Sequence, residues 1–151
     1  MRLLCLALLL ATPAPVLAAS SPLETALNAH ARADYAAARK ALLPLAARGS
    51  PIAETLLGGM AARGQGLAAN PATAVAWWLR AARRGYAPAQ VALARAMAEG
   101  RGINQDIAQA WLWASRASRG QGPAAAQGRS LAADLADRLP AMQRRQLLEK
   151  I

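Results

Sequence analysis

The residues able to do chemistry are few in this 151-residue chain: one histidine, one cysteine and eight carboxylates. His30 is the only imidazole and lies ahead of the repeated part of the chain. Cys5 falls in a leader-like segment, so the chain beyond that segment has no thiol to act as nucleophile or soft metal ligand. Ser50, Ser115, Ser118 and Ser130 have no histidine at a matching site. Glu54 and Glu99 are of the type needed for an acid and a base facing each other across a groove, the arrangement that the alternative of an accessory or hydrolytic protein acting on cell-wall material would need. Asp134 and Asp137 stand on other elements. Single carboxylates that open or close a helix commonly serve its dipole and solvation. The chain is therefore read as non-catalytic, with no cofactor and no metal.

Arginine is the other chemically loaded residue. The net charge is +10, and only two of the 18 basic residues are lysines. Arg80 matches Arg116, Arg83 matches Arg119 and Arg48 matches Arg84, each pair 36 residues apart. Such ladders suit a partner with regularly placed carboxylates or phosphates, the alternative being a solvated outer face. An anionic envelope polymer is one such partner, and a protein is the other.

The same spacing runs through the residues that must position these side chains. Asp34, Asn70 and Asp106 fall in register, as do Ala38, Ala74 and Ala110. Ala41, Trp77 and Trp113 form a third column. Gly49 matches Gly85, Leu57 matches Leu93, and Gly64/Gly66 match Gly100/Gly102. A sustained period of this length marks helical hairpins stacked into an α/α solenoid. Ser50–Pro51 and Asn70–Pro71 are caps followed by proline in the first helical turn, and Asp34 and Asp106 cap two further helices. The loops "GQGL" and "GRGI" place glycines where the chain leaves a helix with positive φ. The apolar residue after the second glycine, Leu67 or Ile103, is expected to plug the open end of the hairpin. Trp77 and Trp113 are expected to brace one continuous core, with alanines letting helix backbones approach. Trp78 and Trp111 sit outside that column, which makes one of them the best candidate for an exposed aromatic anchor.

The N-terminus reads differently. Met1–Arg2, the apolar run "LLCLALLLA" and the small residues up to Ala18 and Ala19 have the order of a secretory signal peptide. The apolar run is about half the length a membrane-spanning helix needs. Residues 1–19 are assigned to this leader and 20–151 to a single domain. That domain divides into a half repeat 22–49, repeats 50–85 and 86–121, and C-terminal capping helices 123–151. Export to the periplasm of a Gram-negative bacterium follows as an expectation, which argues against nucleic acid as a partner and against a stable membrane span in the mature form.

"AETLLGGMAARGQGLAANPATAVAWWLRAARRGYAPAQ" resembles the Sel-like repeat, a relative of the tetratricopeptide repeat. Ala53, Leu57, Gly58, Gly64, Gly66, Asn70, Ala74, Trp77, Ala81, Ala82 and Gly85 fall on its pattern, and the next unit repeats most of them. Ala94 departs where Gly58 stands, and the pattern's aromatic position is Ala61 in one unit and Met97 in the next. Exported relatives with a cysteine in every repeat carry disulfides, and those cysteines are missing here. The resemblance implies an all-α fold, a short right-handed α/α solenoid of TPR-like hairpins. It also implies a protein-interaction scaffold, expected to be monomeric. Its concave face would be lined by the first helix of each hairpin, offering Glu54 and Arg63 beside Gln90 and Arg95. Partner-binding candidates are therefore these four with Trp78, Trp111, Arg80, Arg83, Arg84, Arg116 and Arg119.

If Trp77 is a core brace, Trp77→Ala should cost about 3–5 kcal/mol in a urea melt, whereas Arg80→Ala should cost little.

Overall fold

The computed structural model describes residues 21–149, eight helices joined by short turns. The signal peptide assigned to residues 1–19 lies outside the described residues. The helices are α1 (Pro22–Ala31), α2 (Tyr35–Ala47), α3 (Pro51–Arg63), α4 (Pro71–Arg83), α5 (Ala87–Glu99), α6 (Ile107–Ser118), α7 (Pro123–Ala136) and α8 (Ala141–Leu148). Each of the first seven packs closely on its neighbour in sequence, and α5 also packs on α7. This is an all-α solenoid of stacked hairpins. Among the described residues no helix is long and apolar enough to cross a membrane.

The caps act as their spacing dictates. The side chains of Asp34, Ser50, Asn70 and Asp106 accept from the backbone N–H of Ala37, Ala53, Thr73 and Gln109 at 2.9 to 3.3 Å. Ser21 and Glu24 add a reciprocal capping box at the start of α1. These bonds satisfy donors that a helix start would otherwise leave open.

The glycine loops have a second purpose beyond conformation. Gly64 and Gly100 end α3 and α5 with φ of 67° and 69°. Gly66 and Gly102, also at positive φ, press against the preceding hairpin. A Cβ on Gly66 would lie 3.1 Å from the Tyr35 side chain, and one on Gly102 would collide with the backbone of Pro71. Tyr35 and Pro71 are themselves one repeat apart, so the second glycine is a contact point between successive hairpins.

Apolar burial is not one continuous core. One cluster joins Ala26, Ala38, Leu42, Ala53, Leu57 and Met60 on the N-terminal side. The other contains Leu93, Met97, Trp111, Leu112, Leu135 and Leu139. Trp77 and Trp113 are half-buried at the edge of one cluster each, so they brace the solenoid from its flank. Ile103 packs against the second cluster as a plug should. Leu67 does not plug: it is 61% exposed. Arg39 and Ala61 occupy the places that Val75 and Met97 hold one repeat later, so Leu67 has less apolar surface to settle on.

Gly102→Ala should lower stability by about 2–4 kcal/mol, because strain at positive φ adds to a backbone collision. Gly85→Ala has equal strain (φ +81°) but open space around it, and should cost about 1 kcal/mol. Urea melts of the two variants give the comparison.

Candidate functional site

Glu54, expected on an accessible concave face, has no exposed surface at all. Its carboxylate accepts two hydrogen bonds of 2.8 Å from one guanidinium nitrogen of Arg84 and pairs with Arg80 at 3.1 Å. Arg80 also donates to the Ala46 carbonyl at 3.4 Å and lies 4.8 Å over the Trp77 ring. Both guanidinium side chains keep nearly half their surface in solvent, 49% for Arg80 and 45% for Arg84. Burying a carboxylate is costly unless it is paired and hydrogen-bonded, and here both conditions are met.

Gln90 stands one repeat after Glu54 and is likewise buried rather than offered on a face. Its amide donates to the Ala82 carbonyl at 3.2 Å. Ala82 and Ala46 are in register, so both joints satisfy the same carbonyl. An amide can donate to it directly, whereas a carboxylate cannot, and Arg80 supplies the donor instead. Glu54 is thus a structural group, closed to solvent and to substrate. Glu99 is paired with Arg101 on the surface.

Trp111 is not an exposed anchor either: it is 6% exposed and belongs to the second apolar cluster. Trp78 is half-buried. Its indole N–H donates to the Thr55 carbonyl at 3.3 Å, and it lies so close to Gly58 that any Cβ there would collide. In the next repeat both positions are alanine, Ala94 and Ala114. The paired change from glycine–tryptophan to alanine–alanine is written in the sequence, although neither position alone announces it.

Trp78 floors a groove of about 330 Å³ between α3, α4 and α5, together with Ala74, Ala92 and Ala96. Arg63, Arg95 and Arg101 are on its rim. Arg63 is held by Gln65 at 3.2 Å, and Arg101 by Glu99. Arg95 is exposed and makes no hydrogen bond or ion pair with another of the described residues. The groove therefore joins an apolar floor to a cationic rim, which fits an apolar side chain beside a carboxylate.

The arginine ladders are not a uniform free surface. Arg80 and Arg84 are engaged by Glu54, and Arg116 lies 4.9 Å over Trp113. Arg83 at the end of α4 and Arg119 just after α6 are exposed and away from the groove lining. His30 is half-buried, with its Nε2 3.3 Å from the Gln65 side-chain oxygen and its ring edge-on to Tyr35. Among the described residues no group of three or more His, Cys, Asp or Glu side chains could hold a metal ion.

Arg80→Ala, expected from the sequence to cost little, instead takes a donor from the buried Glu54 and from the Ala46 carbonyl, and removing both Arg80 and Arg84 by alanine substitution should destabilise the chain by about 2–4 kcal/mol, since Glu54 is left buried and unpaired. Adding Glu54→Gln in that background should recover most of the loss, with the amide reaching the Ala46 carbonyl as Gln90 reaches Ala82. Denaturant midpoints of the double and triple variants test this.

Comparison with known proteins agrees with this architecture. The family model described as the Sel1 repeat matches residues 51–86 and 87–121. No curated protein matches. A protective antigen present in uropathogenic Escherichia coli strains, displaying an SLR fold, is similar with a TM-score of 0.77 and 25% identity. That match covers 83% of this chain and 27% of the antigen. A Sel1 repeat protein from Oxalobacter formigenes is similar with a TM-score of 0.62 and 29% identity, over 64% of this chain and 40% of that one. The chain thus spans well under half the length of either solved protein. The chain thus carries two Sel1 repeats at its centre, with hairpins stacked around them as in these solved Sel1 and SLR proteins.

Proposed function

We propose that this chain is a non-catalytic recognition scaffold of the bacterial envelope, exported behind its first 19 residues and acting as a monomer. Sel1-repeat proteins are in general protein-interaction scaffolds, and the groove between α3 and α5 is the surface best suited to that role here. The observation that carries the reading is Arg95, an exposed cation that pairs with no other of the described residues and stands beside an aromatic floor. A protein segment that lays an apolar side chain on Trp78 and a carboxylate against Arg95 would use both features. The closed state of Glu54 argues against the alternative of hydrolytic action on cell-wall material. The internal engagement of Arg80, Arg84 and Arg116 argues against the arginine ladders as the main contact for an anionic polymer.

The full chain, expressed in a Gram-negative host with a photo-crosslinking side chain at position 63, should trap a discrete envelope protein. Arg95→Glu should reduce that capture about tenfold or more without shifting the melting temperature. The exported protein should have the mass expected for cleavage after Ala18 or Ala19. An unprocessed mass would sink the export reading. Capture of anionic polymer alone, lost as salt rises, would favour the polymer reading.

A further inference from the structure

The two Sel1 repeats follow one backbone plan and are filled differently. At the joint between them, Val75 of the first and Met97 of the second are buried in an apolar cluster on which Leu79 and Ile103 pack. One repeat earlier the corresponding residues are Ala61, Arg39, Leu43 and Leu67. Ala61 is shorter than Met97, and Arg39 sets a cation where the later joint has a valine, while Met60 in place of Ala96 restores part of the volume. What remains is a hollow of about 150 Å³ walled chiefly by Leu43, Leu57, Met60, Ala61, Leu67 and Trp77, with Arg39, Gln65 and Thr73 as its polar lining. A trough of about 400 Å³ along α2 shares Arg39, Leu43 and Leu67 with it and adds Lys40. Leu43 and Leu67 are 40% and 61% exposed, so the entrance is apolar as well.

We infer that this hollow is a second docking pocket, which takes an aromatic side chain flanked by carboxylates from an acidic segment of a protein partner. Three observations commit the occupant. The second repeat fills the equivalent space with the apolar Met97, so the packing environment is made for an apolar side chain. An apolar cavity of roughly 150 Å³ admits a six-membered aromatic ring. Arg39 and Lys40 border the mouth, no carboxylate lines either hollow, and the +10 charge of the chain opposes a second copy as the occupant. The pocket shares no lining residue with the groove floored by Trp78, so it stands independently of the function proposed for that groove.

Calorimetric titration with three synthetic peptides tests the proposal on the folded protein. The first has a phenylalanine between pairs of glutamates, the second has alanine in place of the phenylalanine, and the third has lysines in place of the glutamates. The first should bind about tenfold or more tightly than either of the others. Ala61→Met, which restores the side chain of the second repeat, should abolish that preference without lowering the melting temperature. Should it disturb the fold, Leu67→Ser at the exposed lip serves in its place, and the same loss is expected. Arg39→Glu should weaken the first peptide, while Arg95→Glu in the other groove should leave it unchanged. Equal binding of the phenylalanine and alanine peptides, undiminished binding after Ala61→Met in a folded protein, or no binding of the first peptide would overturn the inference.

Discussion

A carboxylate that loses all its water must find its stabilisation in the protein, and Glu54 finds it by joining three helices. It sits on α3, its partners Arg80 and Arg84 come from the last turn of α4 and the residue after it, and Arg80 reaches back to the end of α2. The half repeat and the first full repeat are thus fixed to each other by a charge-assisted network. One joint later, Gln90 does the corresponding work with a single amide bond to α4. The stacking of hairpins is specified at these two points by polar groups with directional needs. Alanine contacts supply closeness, but little preference for one register over another.

The period, the caps and the glycine loops were legible in the sequence because each depends on local chemistry. An Asn-Pro or Ser-Pro pair starts a helix, and a glycine at positive φ ends one, whatever surrounds them. Glu54 was not legible as a buried group, since its type favours the surface and its partners lie 26 and 30 residues away. The one available signal was its register with Gln90, which is buried as well. Trp111 departs from expectation for a related reason. Being outside the column of Trp77 and Trp113 does not place a residue outside the core when its own column includes the buried Val75. Leu67 failed as a plug because its apolar bed depends on Ala61 and Arg39, residues on two other elements.

Differences between the repeats therefore carry more information than their likeness. Gly58 with Trp78 becomes Ala94 with Ala114, and Ala61 with Leu67 becomes Met97 with Ile103. The first exchange removes side-chain volume and the second adds it, while the helices keep their places. The groove floored by Trp78 and the hollow beside Ala61 both arise in the first full repeat, which deviates from its successor at these positions. A solenoid can in this way alter its surface chemistry without altering its curvature, since helix spacing is held by the alanine columns and the glycine contacts.

The division of the apolar interior into two clusters, with the Glu54 network close to the seam, has a kinetic meaning. In a stack whose units touch only their neighbours, each interface has its own free energy, and the weakest sets where the chain opens first. Amide protons of α8, which touches α6 only lightly, therefore exchange through a smaller opening than those of α5 and α6, which have packed neighbours on both sides. Loss of the α1–α2 hairpin exposes Leu57 and Met60 but leaves α5 to α7 assembled, so the two clusters can open one without the other.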